Sequence, residues 1–216
     1  MKKIASPLFQ DLSEAELDTL AAAGHLRTRQ FAKHEVIFHA GSCVREIGIV
    51  LRGSVHIENL DLWGTKSILS SVGVGQAFAE TYAFCGEALM VDAVAAEHCE
   101  ILFLHTAALT DARIEPALKD KLLRRLLAVS MRKNLSLSQR IFCTTPKTVR
   151  GRLLTYFSAQ AARCGRMEFE VPFNRQQMAD HLNLDRSALS KELCKMRDEG
   201  LLEFDKNRFV LKQLPE

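Results

Sequence analysis

A chain of 216 residues that is 47% hydrophobic and 25% charged, with both signs mixed, buries one large core or two smaller ones and argues against long disorder. No apolar run approaches the roughly 20 residues needed to cross a bilayer, and "MKKIASPLF" lacks the apolar stretch of a secretory signal. Six scattered cysteines without a CxxC pair argue against a disulfide framework or zinc module, so the expectation is a two-domain, reduced, cytoplasmic protein with no bound cofactor and no membrane partner.

Net charge is only +3, but it is unevenly spread: residues 1–100 carry thirteen acidic and eight basic side chains, whereas Lys119 to Arg152 carry ten basic and one acidic, Asp120. Such a run is either a solvated helix face or an attraction for a polyanion such as DNA.

Ser13 with Glu16 three residues on, among Leu12, Leu17 and Leu20, reads as a capping box that opens a short helix ending at Gly24. From Arg27 to His105 the period changes to short apolar or alternating runs (VIF, IGIVL, VHI, ILSSV, EILFL) punctuated by Gly41, Gly53, Gly64 and Gly75. Strands of that length with turn glycines, the last three eleven residues apart, predict an antiparallel barrel or jelly roll.

After Thr106 the pattern is helical. Leu122, Leu126 and Val129 share one side of a wheel, while Leu123, Leu127 and Leu137 occupy a flank about a third of a turn away. The helix thus has two apolar contacts to satisfy, one on its own barrel and one on the same helix of a second chain. "CTTPKT" (143–148) breaks the helix at Pro146 and makes a hinge. A further helix carrying Val149, Leu153, Leu154 and Phe157 ends near Gly165.

The segment "VPFNRQQMADHLNLDRSALSKELCKMRDEGLLEFDKNRFVL" (171–211) is the most informative. Asn174 and Gln177 have capping-box spacing, Asn183 and Leu184 form a turn, Asp185 caps the next helix, and Gly200 ends it. That is helix-turn-helix spacing. Leu189, Leu193 and Met196 recur at i, i+4 and i+7 and face the core, leaving Ser187, Ser190, Lys191 and Cys194 on the opposite stripe with Arg186 beside them. Small residues permit close approach of the backbone, and Arg and Lys can donate to guanine O6 and N7, so the stripe suits a DNA major groove. "LLEF" and "RFVL" around Asp205-Lys206-Asn207 read as a hairpin wing, and Arg175 and Gln176 sit at a helix N-terminus that favours phosphate.

Roll, dimer helix, hinge and winged helix-turn-helix in this order resemble the cyclic-AMP receptor protein/fumarate-nitrate-reductase regulator (Crp/Fnr) family of bacterial transcription factors. The resemblance covers residues 8–212 and rests on Gly53, Gly64 and Gly75, on the turn "GQAFAE" and on "NRQQMADHLNLDRSALSKEL". It implies an α+β fold: a double-stranded β-helix of the cyclic-nucleotide-binding type over 1–110, a dimerisation helix over 111–143, and a winged helix-turn-helix over 144–216. It also implies a non-enzymatic homodimer on pseudo-palindromic double-stranded DNA, with RNA polymerase as partner if the protein activates.

Carried over by position, Arg186, Ser187, Ser190 and Lys191 match base-reading residues, and Arg175 and Gln176 match phosphate contacts. Ser187 stands where the family usually has glutamate. The effector pocket maps to Ala79, Glu80, Thr81, Met90, Val91, Leu137 and Ser138. Cyclic-nucleotide binders carry Gly-Glu-Leu and an Arg-Ser pair at these places; here Ala79-Glu80-Thr81 and Met90-Val91 supply no cation, so the expected effector is a small molecule other than cyclic AMP.

Three alternatives draw on other residues. A thiol sensor would use Cys194 on the groove face. A haem sensor would use His98, His105, Cys85 or Cys99, whereas the iron–sulfur branch needs an N-terminal cysteine cluster and the first cysteine is Cys43. A jelly-roll metal enzyme would need clustered histidines, and His34, His39, His56 and His98 show no HxH spacing.

Overall fold

A computed structural model describes residues 4–60 and 66–212; Gly64, the middle glycine of the eleven-residue ladder, lies outside them. The chain divides into two compact units between Arg132 and Lys133, a point inside the longest helix.

In the first unit Ser13 caps α1 (Glu14–Ala22) with both bonds of the capping box, Ser13 Oγ accepting from Glu16 N and Glu16 Oε2 from Ser13 N. Eight strands follow: β1 (Leu26–Phe31), β2 (Val36–Phe38), β3 (Glu46–Arg52), β4 (Val55–Leu60), β5 (Lys66–Val72), β6 (Ala77–Phe78), β7 (Asp92–Ala95) and β8 (Cys99–His105), with α2 (Glu80–Cys85) between β6 and β7. They form two four-stranded sheets, β1-β8-β3-β6 and β2-β7-β4-β5, in which every pairing is antiparallel. The expected jelly-roll domain is what the chain forms.

Strand β8 explains why its central run, Ile101 to Leu104, is apolar throughout rather than alternating. Ile101 and Phe103 face the space between the sheets with Phe31, Val50, Val55 and Phe78, while Leu102 and Leu104 face an outer layer with Leu17, Leu20, Ile47 and Ile49. A strand covered on both faces has no solvated side to keep polar. Gly53 and Gly75 adopt φ of +82° and +80°, and a Cβ on either would collide with backbone, at 2.6 Å from His98 O and 2.3 Å from Ala5 O. The two described ladder glycines are therefore turn residues with no substitute.

Helix α3 runs from Pro116 to Thr144 rather than from 111. Residues 111–115 form a turn held by Asp111, which accepts from Arg113 and bonds His25 Nε2 at 2.7 Å. The flanking arginine holds the Asp111 carboxyl well below the usual carboxylate range. Leu118, Leu122 and Leu126 join the outer core, whereas Leu123 and Leu127 are about half exposed, as the two-sided wheel requires.

The second unit takes the end of α3 and then α4 (Val149–Cys164), β9 (Glu168–Glu170), α5 (Arg175–Leu182), α6 (Arg186–Asp198), β10 (Leu202–Asp205) and β11 (Arg208–Leu211). Its sheet has the order β10-β11-β9, so a third strand, "EFE", backs the expected hairpin. Phe157, Phe169 and Phe209 meet at its centre, all under 3% exposed, with Leu153, Met178, Leu182, Leu189, Leu193 and Met196 around them.

Candidate nucleic-acid interface

Two helices and a wing are set by local chemistry. Asn174 Oδ1 accepts from Gln177 N and Gln177 Oε1 from Asn174 N, both at 2.9 Å, so α5 starts where the sequence places it. Asn183 takes the left-handed conformation (φ 53°) that ends α5 and turns the chain. Asp185 Oδ1 then accepts from Ser187 N at 2.8 Å and Ala188 N at 2.9 Å. The Ser187 hydroxyl donates to the same oxygen, and these bonds hold the carboxyl below its ordinary pKa.

On α6 the inward positions Leu189, Leu193 and Met196 are fully buried. Arg186, Ser187, Lys191 and Cys194 are exposed on the outer side and Ser190 is half-buried, so the structure brings the expected base-reading residues onto one open face. Behind that face Arg150 braces the helix, with Nε 2.5 Å from Glu192 Oε1 and NH1 2.8 Å from Glu199 Oε2, and both carboxylates raise its pKa. Arg152 donates to Leu182 O, Asn183 O and Pro146 O at 3.1, 2.7 and 2.8 Å, tying the α5–α6 turn to the loop before α4.

These bonds revise the basic run. Lys121, Arg124, Arg125, Arg140, Arg150 and Arg152 all bond protein groups, so at least six of the ten cations between Lys119 and Arg152 work inside the fold.

The expected phosphate residues are placed differently from each other. Gln176 is exposed and donates to Asp180 Oδ1 at 2.9 Å. Arg175 is only partly exposed: its guanidinium lies over Phe204 at 5.0 Å and Phe209 at 5.1 Å, with one terminal nitrogen buried and unpartnered, and burial lowers its pKa. Arg175 therefore pins the wing against α5, a role the sequence pattern does not reveal. An open cleft is lined by Asn174, Arg175, Gln176, Arg186, Lys206 and Asn207, which sets three cations from α5, α6 and the wing turn around one concavity.

In the roll, Ala79 adopts a left-handed φ of 62° at the start of α2, Glu80 is buried and Thr81 exposed. Met90 is 78% exposed and Val91 half-buried, so the pair occupies a surface turn before β7. Leu137 and Ser138, the other expected effector residues, lie exposed on the part of α3 that belongs to the second unit. Two expected haem-ligand candidates are committed to protein atoms: Cys99 Sγ donates to Ser54 O at 3.0 Å, and His105 Nδ1 accepts from Ala107 N at 3.0 Å.

Residues 28–113 match the family model of the cyclic nucleotide-binding domain, and residues 151–216 match that of the Crp-like helix-turn-helix domain. The chain belongs to the Crp/Fnr family. As a Crp-like protein it is a DNA-binding transcriptional regulator with an effector-binding domain. Solved structures agree on the fold. The catabolite activator protein of Thermus thermophilus is 25% identical, with 96% of this chain and 94% of that one covered at a TM-score of 0.50. FixK2 of Bradyrhizobium japonicum is 19% identical over 87% of this chain and 93% of that one, at 0.51. The c-di-GMP-responsive global regulator CLP of Xanthomonas campestris is 18% identical over 93% and 100%, at 0.55. No curated protein matches the chain. Among the described residues no helix is long and apolar enough to cross a membrane.

Proposed function

We propose that this Crp/Fnr regulator is a homodimer that reads a pseudo-palindromic duplex with α6 of each protomer and is switched by a small molecule other than cyclic AMP. The observation that carries the DNA reading is the open face of α6, where Arg186, Ser187, Ser190 and Lys191 stand opposite three fully buried residues. Half-sites about 34 Å apart follow from two such helices entering successive major grooves. Arg175 and Gln176 at the start of α5 take phosphates, with Arg175 aimed by its stack on the wing.

Each base-reading residue has a distinct role. Arg186 and Lys191 are donors and suit guanine O6 and N7. Ser187 spends its proton on Asp185 and therefore meets the groove as an acceptor, which suits the amino group of cytosine or adenine.

Two observations support an effector other than cyclic AMP. Among the described residues no Lys or Arg is buried; the buried polar side chains are Ser6, His25 and Glu80. The space between the sheets is filled by a row of rings, Phe31 to Phe103 at 6.1 Å, Phe103 to Phe38 at 5.6 Å and Phe38 to Phe78 at 5.8 Å. A cyclic phosphate in such surroundings loses hydration with no buried cation to replace it.

Selection of bound duplexes from a random library, at fixed salt, tests the reading. An inverted repeat is expected. Lys191→Ala should cost roughly 1–3 kcal/mol at the selected site and relax one position, whereas Arg175→Ala should weaken all duplexes alike and reduce the salt slope by about 1. Equal loss at selected and random duplexes for Lys191→Ala removes it from base readout.

A further inference from the structure

Every residue of α3 from 131 to 142 is exposed, about three turns of helix that include Leu137, Ile141 and Phe142. Earlier on the same helix Leu118, Leu122 and Leu126 are buried. Within the exposed surface one stripe has a regular spacing: Leu123, Leu127, Ser130, Asn134, Leu137 and Ile141 follow one another at alternating steps of four and three. At 100° per residue the six share an arc of about 80°. The four apolar members are 47–66% exposed, Asn134 is exposed and Ser130 half-buried.

That spacing is the seam of a coiled coil, with Leu123, Ser130 and Leu137 at the d positions and Leu127, Asn134 and Ile141 at the a positions. Leucine at d with isoleucine at a favours two strands. Whatever covers the stripe must be apolar at both ends and polar in the middle, at the same spacing. A second copy of α3 meets that requirement by symmetry.

Asn134 bears on how the two copies align. Its amide both donates and accepts, so an identical amide satisfies it. A parallel pair in register sets each seam residue on its own counterpart, Asn134 included. Antiparallel pairing sets a against d, so Asn134 then faces either Leu137 or Ser130. Against Leu137 the amide is left unpaired, and against Ser130 the Lys133 side chains of the two copies come side by side. Parallel pairing instead sets Lys133 beside Ser138 of the other copy.

We propose that Asn134 pairs with its counterpart in a second copy of this chain across a parallel α3 seam, and is the residue that fixes the register of the dimer. The inference rests on the dimer reading above and adds the side chain that aligns it. An amide pair holds less tightly than an apolar layer, so Asn134 gives a single alignment at the expense of strength of association.

The test uses the intact protein. Sedimentation velocity of the parent should show a dimer; a monomer at all concentrations overturns the dimer reading and this inference together. In Asn134→Cys, mild oxidation with diamide should join two copies through position 134, detected as a linked pair of the tryptic peptide 134–140, which has no native cysteine. Ser136→Cys puts a thiol in the same peptide but on the side turned away from the seam, so its cross-link should form at least tenfold more slowly. Asn134→Leu should slow subunit exchange between differently tagged copies at least tenfold. A dimeric parent in which Asn134→Cys cross-links no faster than Ser136→Cys, or in which Asn134→Leu exchanges as fast as the parent, overturns the role of Asn134 and leaves the dimer standing.

Discussion

Gly48→Ala tests the packing that fills the roll. Gly48 on β3 pairs across the sheet with Phe78 on β6, and the phenyl ring folds back over the glycine. A Cβ at position 48 would stand 2.2, 2.5 and 2.8 Å from three atoms of that ring, whereas ordinary contact begins near 3.4 Å. The ring must retreat by roughly 1 Å, and Phe38, 5.8 Å away centre to centre and itself against Phe103, stands in the row behind it. Overpacking of this kind costs about 1–3 kcal/mol, offset by the ~0.5–1 kcal/mol that alanine gains over glycine in a strand. The net expectation is a loss of about 1–2 kcal/mol. In a Phe78→Ala background the clash is gone, so the same substitution should become neutral or slightly stabilising, a coupling of about 2 kcal/mol between the two sites. Calorimetric unfolding, with hydrogen exchange of β3, β6 and β8 amides to assign the loss to the roll, measures both legs of the cycle. Equal cost of Gly48→Ala in the two backgrounds would refute the reasoning, because the penalty would then have nothing to do with the Phe78 ring.

Two further outcomes concern other parts of the chain. Leu123, Leu127, Met131 and Leu135 recur every four residues on α3 and are 47–59% exposed, so Leu127→Asp should convert the proposed dimer to monomers in sedimentation velocity; an unchanged sedimentation coefficient would overturn α3 as the dimer contact. His181 has its folded pKa lowered from 6.5, so the folded state resists protonation, and its contribution is complete above 6.5 and falls away as pH drops below it. Urea midpoints should decline from pH 7 to pH 5, and His181→Gln should flatten that decline.

What was legible in the sequence is what local chemistry decides. The capping boxes at Ser13 and Asn174, the Asp185 cap and the buried stripe of Leu189, Leu193 and Met196 each depend on residues within one or two turns of each other, and all form as read. The two-sided wheel of α3 was equally readable, since a stripe needs only spacing. Strand β9 was not: "EFE" has one inward residue, and only its pairing with β11 makes it a strand. Helix α2 is not legible as a helix in the sequence, because six residues behind a left-handed alanine carry no periodic signal. The position of Met90 on the surface likewise depends on how the turn before β7 is held, which spacing does not encode.

Charge shows the same limit and bears on how the DNA face works. A basic run in sequence resembles a polyanion site only while its partners are unknown; here Arg150 and Arg152 spend their guanidinium groups on Glu192 of α6 and its C-cap Glu199 and on the carbonyls that end α5. The cations lining the open cleft are instead Arg175, Arg186 and Lys206, which stand far apart in sequence and are assembled by the α5 cap, the α6 cap and the wing turn. Arg175 makes this dependence explicit, because its head group rests on Phe204 and Phe209 of the wing. A change that loosens the wing therefore also releases a cation at the start of α5, so wing packing and the proposed phosphate contact are one variable rather than two. On the proposed DNA reading the arginines of the run act through that geometry: they hold α6 and its turn in place, and the residues that α6 and the wing present are the ones expected to meet the duplex.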